Sequence, residues 1–446
     1  MYRLLIKQFF RSKTVILAFG ILMILGGLSI TTGKQFLHQK QEAITKTAAQ
    51  QKKHITVQKD LHKDDLGLLL YYLKFSFVKP LNPLAGIAIG QSDINTHIQN
   101  VKILNLEGQK YDTDLVNPMH LQVGNLDLSF LIIFLFPLVI IALTFNLLSE
   151  EVEKGTWKMI TIHGKSALRF LLMKLSIRIF FIATILMLLF ILSALILGIE
   201  FNKDFLHLIG ISYAYILFWF AVCFLVIVLQ NTSNTNAIIL LSTWLLLVVF
   251  LPVLINNYVS SQYPIEEAFT MTIKQRDEYH KRWDTNKQET MDKFYKHYPQ
   301  FSKYTVQEEG FSWLWYYAMQ QMGDDESKEE REAMYAKINN REQLSTTLAL
   351  FFPPLQVQLA MNAIAKTSLT HHVTFLDATT KFHEELRLQF YPKIFENNKV
   401  NTIDWNQYHD PLVFEDNIEN NSSAILPILL LTLLLISCSI FIYLKN

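Results

Sequence analysis

LSFLIIFLFPLVIIALTFNLLSEEVEKGTWKMITIHGKSALRFLLMKLSIRIFFIATILMLLFILSALIL, residues 128–197, reads as a membrane helix, a short charged element and a second membrane helix. From Leu128 to Leu148 nearly every residue is apolar. At 1.5 Å rise per residue, about 20 such residues cross a hydrocarbon core of roughly 30 Å. A second apolar run extends from Leu171 to the end of the stretch. Between them, Glu150, Glu151 and Glu153 are followed by Lys154, Lys158, Lys165, Arg169, Lys174 and Arg178. Basic residues concentrated beside a span mark the cytoplasmic side. The acidic residues come early, where a helix N-terminus favours negative charge. Trp157, Met159, Ile160 and Ile162 supply apolar surface, so a short amphipathic helix lying under the membrane and closing near Gly164 is expected. A solvated charged loop obeying only the positive-inside bias is the competing reading.

Composition sets the frame. The chain has 446 residues, 51% hydrophobic, with 32 Phe and a mean hydropathy of +0.21. It is too apolar for an ordinary soluble protein and too charged to lie wholly in lipid, so it divides between membrane and water. A net charge of +1 with no basic arm argues against a nucleic-acid partner. Cys223 and Cys438 both fall in apolar runs, where small-residue packing is the expected role, and no CxxC or disulfide framework is present.

Working outward, residues 1–13 alternate Arg3, Lys7, Arg11 and Lys13 with Leu4, Leu5, Ile6, Phe9 and Phe10, the pattern of an interfacial helix. Residues 14–33 form the first span, retained because Gly33-Lys34-Gln35 offers no small-x-small cleavage site. Residues 34–124 make a polar, extracytoplasmic insert, helical from Lys34 to Asp65 and strand-turn-strand over VKILNLEGQK (101–110). The second span is 125–148, the coupling element 149–170, and the third to fifth spans 171–198, 205–229 and 237–258. Tyr258 is an interface aromatic, and Trp219, lying mid-span, packs against a neighbouring helix. Residues 259–421 form a second, mainly helical extracytoplasmic insert whose surface helices are broken at Pro353-Pro354. The last span, 422–444, follows a stretch rich in Asp and Glu and free of Lys and Arg, which suits the outside. The fold class is an all-α polytopic membrane protein with six spans and both termini cytoplasmic.

Several chemistries lack their residues. A phosphate loop needs GxxxxGK[ST], and Gly27 to Gly33-Lys34-Gln35 has neither the spacing nor the hydroxyl. The middle thirds of the six spans carry no Asp, Glu, Lys, Arg or His, whereas ion-coupled carriers place such groups there. Asp127, Lys174, Arg178 and His207 lie towards span ends. His371, His372, His383 and Glu384 would seed a metal site only if folding gathered them; surface or packing histidines are the plainer reading. Neither GxSxG nor HExxH occurs.

The segment after the second span resembles the signature of ABC-2 class (exporter) ABC transporter permeases: an acidic pair, Gly-Thr and a downstream Lys, here Glu151, Glu153, Gly155, Thr156 and Lys174. Val152 stands where a basic residue is common, and His163-Gly164 replaces a more usual proline. NPLAGIAIGQSDI (82–94), NPMHLQVGNLDLSFLIIFLFPL (117–138) and LALFFPPLQVQLAMNAIAKTSLTHHVTFLDATTKFHEELRLQFYPKIF (348–395) are similar to a subfamily with large extracytoplasmic inserts, the second a domain of unknown function. The resemblance implies a multi-pass subunit of the inner (cytoplasmic) membrane, paired with a second or sibling permease. It implies separate ATPase chains that carry ATP and Mg, with no cofactor, catalytic residue or metal on this chain. The implied docking residues are Glu150, Glu151, Glu153, Gly155, Thr156, Trp157 and Ile160, the two latter for packing and Glu151 and Glu153 for ionic coupling. Substrate export and mechanical work on an extracytoplasmic protein partner both fit. A non-transporting membrane anchor or assembly factor, whose outer domain binds partners, is the alternative.

Overall fold

The computed structural model describes residues 2–110, 125–163, 167–267, 286–306, 309–418 and 424–445, with isolated positions between 270 and 284. In chain order its helices are α1 (Tyr2–Phe10), α2 (Lys13–Leu61), α3 (Leu66–Tyr72), α4 (Glu107–Lys110), α5 (Leu128–Glu153), α6 (Thr156–His163), α7 (Ala167–Leu197), α8 (Lys203–Val228), α9 (Ser233–Gln262), α10 (Lys287–His297), α11 (Trp313–Glu326), α12 (Lys328–Ala349), α13 (Pro353–Ile364), α14 (Leu369–Phe395) and α15 (Ile425–Lys445). Six of these, α2, α5, α7, α8, α9 and α15, are long and apolar enough to cross a membrane, so the protein is a mostly helical, multi-pass membrane protein.

Two of the spans are shaped by proline. Pro137 and Pro252 each follow a π-helical stretch, Leu131–Leu135 in α5 and Leu245–Phe250 in α9. Proline has no N–H and its ring displaces the carbonyl four residues back, so that carbonyl needs another donor. The Tyr215 hydroxyl of α8 donates to the Ile133 carbonyl at 2.9 Å, and Trp244 Nε1 of α9 donates to Phe134 O at 3.1 Å. Helix α8 is the best buried of the spans, with Tyr215 and Trp219 fully enclosed.

Helix α2 does not stop where its apolar run ends. Its 49 residues run on as one rod of about 70 Å. Leu22 and Ile30 belong to the core of the bundle, while Ile55 belongs to the core of the polar domain. Near the far end Gln51 donates to Tyr408 O and accepts from Ser76 N, both at 2.7 Å, clamping the rod to the domain.

The two inserts do not fold separately. They share one core, in which Ile55, Leu69, Leu70 and Leu73 pack with Met291, Phe294, Tyr317, Phe375, Phe390 and Tyr391. A small sheet joins them, with β1 (Phe75–Val78) antiparallel to β2 (Ile98–Val101) and parallel to β3 (Leu412–Val413), in the order β2-β1-β3. Phe77 of β1 stacks on Phe375 and Phe382 of α14 with centroids 5.4 and 5.0 Å apart. The expected strand-turn-strand over 101–110 is therefore corrected: β2 ends at Val101, and the second strand is replaced by the helical turn α4. Gln109 takes the place of strand pairing, accepting from Lys102 N at 2.7 Å and donating to Lys102 O at 3.2 Å.

Helix α13 also departs from expectation. Val357, Met361 and Ile364 are buried in the bundle core rather than in the polar domain. Beside α13, the turn Pro83–Gly86 and Ile87 close the same end of the bundle, where Ile87 O accepts from Ser129 N at 3.0 Å and Asp127 accepts from Ile89 N at 2.9 Å. The joint is tight at Gly33, where an added Cβ would lie 1.9 Å from Gly86 O. Gly33→Ala forces two backbones apart and is expected to lower stability towards the upper end of the ~1–3 kcal/mol typical of overpacking. A thermal unfolding midpoint equal to wild type would show that these backbones do not touch.

Candidate functional site

On the face of the bundle opposite the polar domain, α5 ends and α6 begins through a break at Lys154 and Gly155. Gly155 sits at φ +75°, a left-handed backbone that glycine adopts without steric cost. The amphipathic element is thus two short helical pieces rather than one. Its expected closure at Gly164 lies outside the described residues.

The acidic residues brace this turn from within. Glu151 pairs with Lys174 of α7 and accepts from the Thr156 hydroxyl, which also reaches Glu151 O at 3.1 Å. Glu150 pairs with Lys154 and accepts from Asn146 Nδ2 at 3.0 Å. Glu153 accepts from Ser233 N at 2.8 Å at the start of α9, and Ser149 shares a 2.8 Å hydrogen bond with Ser233. Deeper in, Arg178 donates to Leu143 O at 2.6 Å and lies 5.2 Å over the Phe9 ring, fixing α1 and α5 to α7. The turn is therefore tied to three spans, and a push on it is delivered to all of them.

The apolar residues divide into two faces. Trp157 is half-buried and packs against the bundle core, and Ile160 is half-buried too. Val152, Met159 and Ile162 point away, at 50%, 64% and 77% exposure. Met159 and Ile162 are three residues apart, so they share one helical face. The sequence marks both sets as apolar, and only the position of α6 against the bundle separates them.

A second concentration of charge lies inside the polar domain. Arg387, 1% exposed, donates to Ile103 O at 3.2 Å and Leu104 O at 2.7 Å, and pairs with Asp324 at 2.8 Å. Asp324 in turn accepts from Leu106 N at 2.8 Å and caps α4 from another part of the chain. Burial pushes the Asp324 carboxyl up from its ordinary range, with Arg387 opposing. Glu107, also buried, pairs with Arg331 at 2.6 Å and Lys110 at 3.0 Å. These bonds fasten residues 103–110 to α11, α12 and α14.

Three of the four candidate metal residues have partners of their own, in separate places. His371 hydrogen-bonds Ser368 at 2.8 Å, His383 meets Leu104 O at 2.7 Å, and Glu384 accepts from the Tyr298 hydroxyl at 2.5 Å. Among the described residues, no group of three or more His, Cys, Asp and Glu is arranged to hold a metal ion.

Three histidines of the polar domain are held neutral. Burial lowers His97, His371 and His372 to about 4, with Lys40 adding to the effect at His97 and Lys79 at the other two, while Asp416 opposes it at His371. Unfolded histidine titrates near 6.5, so between about 6.5 and about 4 the unfolded chain binds more protons than the folded one. Their contribution to stability is complete above pH 6.5 and is lost as pH falls towards 4. The tryptophan-fluorescence unfolding midpoint of the polar domain is accordingly expected to drop between pH 7 and pH 4.5, and the drop should shrink in His371→Gln/His372→Gln. A flat profile would contradict the neutral, buried assignment.

Fold and site together define a multi-pass membrane protein with one composite polar domain and a braced turn on the opposite face. A family model described as "Domain of unknown function (DUF3526)" matches residues 269–410, which hold α10 to α14 and the Asp324, Arg331 and Arg387 half of the buried network. No curated protein and no solved structure matches the chain.

Proposed function

We propose that this chain is the transmembrane permease subunit of an ATP-driven ABC transporter of the ABC-2 class. It works with ATPase subunits on separate chains and pairs with a second permease copy or a sibling. The observation that carries the reading is the turn at Ser149–His163: a buttressed element on the face opposite the polar domain, tied through Lys174 to α7 and through Ser233 to α9, and presenting Val152, Met159 and Ile162 outward. A rigid knob with an apolar face is what a motor protein needs in order to grip a membrane bundle. The sequence carries no phosphate loop, so the motor comes from another chain, which binds ATP and Mg. In this reading the turn is cytoplasmic, both termini are cytoplasmic, the polar domain is extracytoplasmic, and the membrane is the cell's inner membrane.

The continuous α2 rod favours mechanical transmission over substrate passage. It is buried at one end in the bundle core and at the other in the polar domain, so a tilt of the bundle moves the domain as a lever. The work is then done on an extracytoplasmic partner held by the polar domain.

Affinity purification in gentle detergent followed by mass spectrometry tests the class. An ABC ATPase is expected in stoichiometric yield. Recovery of the chain with extracytoplasmic partners and no ATPase would favour a membrane anchor or assembly factor instead.

A further inference from the structure

Residues 343–365, QLSTTLALFFPPLQVQLAMNAIA, carry no charged side chain, although they lie between Glu342 and Lys366 in the stretch expected to be extracytoplasmic. They fold as the end of α12, an elbow at 350–352 and all of α13. The direction of α12 sets the depth of that elbow. Lys337 Nζ donates to Pro264 O at 2.9 Å, and Arg341 donates from Nε to Tyr263 O at 2.8 Å and from Nη2 to Ser260 O at 3.4 Å, capping the C-terminal end of α9. Partner numbers fall on α9 as they rise on α12, so α12 runs back down α9 and packs along Leu251–Gln262. Ala349 comes eight residues after Arg341, about 12 Å further down. The elbow is thereby level with Val253 and Leu254, exposed residues of a span, and α13 then packs on α8 and on Leu245–Phe250 of α9.

The backbone of the elbow suits a place without water. The N–H groups of Leu350, Phe351 and Phe352 donate to Thr347 O, Leu348 O and Ala349 O at 3.3, 3.2 and 2.9 Å. Phe352 is also the N-cap of α13, and the two residues after it, Pro353 and Pro354, have no N–H. A helix start leaves four N–H groups open, and of these one is bonded and two do not exist. Thr346 and Thr347 return their hydroxyls to Glu342 O and Gln343 O, both at 2.8 Å. In hydrocarbon nothing outside the chain can bond such groups, so a turn there must pair them internally or lack them. Leu350 and Phe351 nevertheless stay uncovered by the rest of the chain, Phe351 at 70% exposure.

We propose that residues 343–365 form a re-entrant hairpin and that Leu350 and Phe351 at its elbow bind the acyl chains of the leaflet on the polar-domain side. The occupant is lipid because the elbow lies beside the exposed apolar face of α9, at the depth of Val253 and Leu254 and inward of Tyr258, and so continues the surface that a membrane span presents to hydrocarbon. The hairpin fastens the polar domain to the bilayer itself, in addition to the α2 rod. This depends on neither an ATPase partner nor the side of the membrane on which the polar domain lies.

Nitroxide labels on the full-length protein in phosphatidylcholine nanodiscs test this. The background is Cys438→Ala, because Cys438 is an exposed native thiol and Cys223 is buried. Oxygen partitions into acyl chains, whereas a nickel chelate stays in water. At Phe351→Cys the ratio of oxygen to nickel relaxation is expected to exceed one, as at Leu254→Cys within the span. At Leu61→Cys, exposed at the far end of α2, it should fall below one. Phe351 is largely uncovered, so the unfolding midpoint of Phe351→Cys should match the background; if that variant fails to fold, Leu350→Cys reads the same surface. Nickel access at the elbow equal to that at Leu61→Cys would overturn the proposal. Exclusion of both reagents would overturn it too, because protein, such as a second copy of the chain, would then cover the elbow.

Discussion

Arg387→Met is expected to destabilise the polar domain by about 3–5 kcal/mol, because it leaves a buried carboxylate without its counter-charge. Asp324 is enclosed, and the guanidinium it would lose also satisfies the carbonyls of Ile103 and Leu104. Asp324 must then either stay charged in an apolar setting, at a desolvation cost, or take up a proton, which weakens the cap on α4. The double variant Asp324→Asn/Arg387→Met should recover part of the loss, since the buried charge is gone from both sides. Chemical denaturation followed by tryptophan fluorescence reads this directly. A loss below ~1 kcal/mol for the single variant would mean that the network is solvated and does not hold the inserts together.

Ile162→Asp carries the largest expected effect on partner binding. Ile162 is the most exposed apolar residue of the turn. If it seats in a groove on an ATPase, a carboxylate there removes an apolar anchor and buries a charge. Such positions are worth about 2 kcal/mol or more, which is roughly a thirtyfold weakening. Glu151→Lys should behave differently. It breaks the pair with Lys174 and loosens the turn from α7 while leaving the apolar face intact. The ATPase should then still co-purify but lose its stimulation by the permease. Measuring co-purification and ATP hydrolysis on both variants separates grip from transmission. Loss of neither function in either variant would remove the turn from the mechanism.

The bundle was readable in the sequence because membrane insertion depends on composition over some 20 residues, a local property. The path of α2 beyond Gly33 was legible as helix, since KQFLHQKQEAITKTAAQQKK holds helix-forming residues, but its union with the span into one rod was not. The rod is held at both ends by contacts distant in sequence, Gly33 against Gly86 and Gln51 on Tyr408. The helical turn α4 is hidden in the sequence for a similar reason. Residues 101–103 alternate as a strand would, and the deciding N-cap, Asp324, lies more than 200 positions away. Helix α13 is apolar but only 12 residues long, too short to read as a span, and its burial in the bundle follows from the fit of α8. At the candidate site the residue types were legible and their division was not. The sequence groups Glu151 and Glu153 with Trp157 and Ile160 as one patch, whereas the fold ties Glu151 to Lys174 and exposed Glu153 to Ser233, packs Trp157 on the bundle and leaves Val152, Met159 and Ile162 outside.

The most direct test replaces Ile162 with a photo-crosslinking amino acid in the full-length protein and irradiates intact cells. A covalent adduct with a protein that bears a nucleotide-binding phosphate loop is expected. Adducts only with lipid or with proteins outside the cell would contradict the account, because the turn would then face the wrong partner or the wrong side of the membrane.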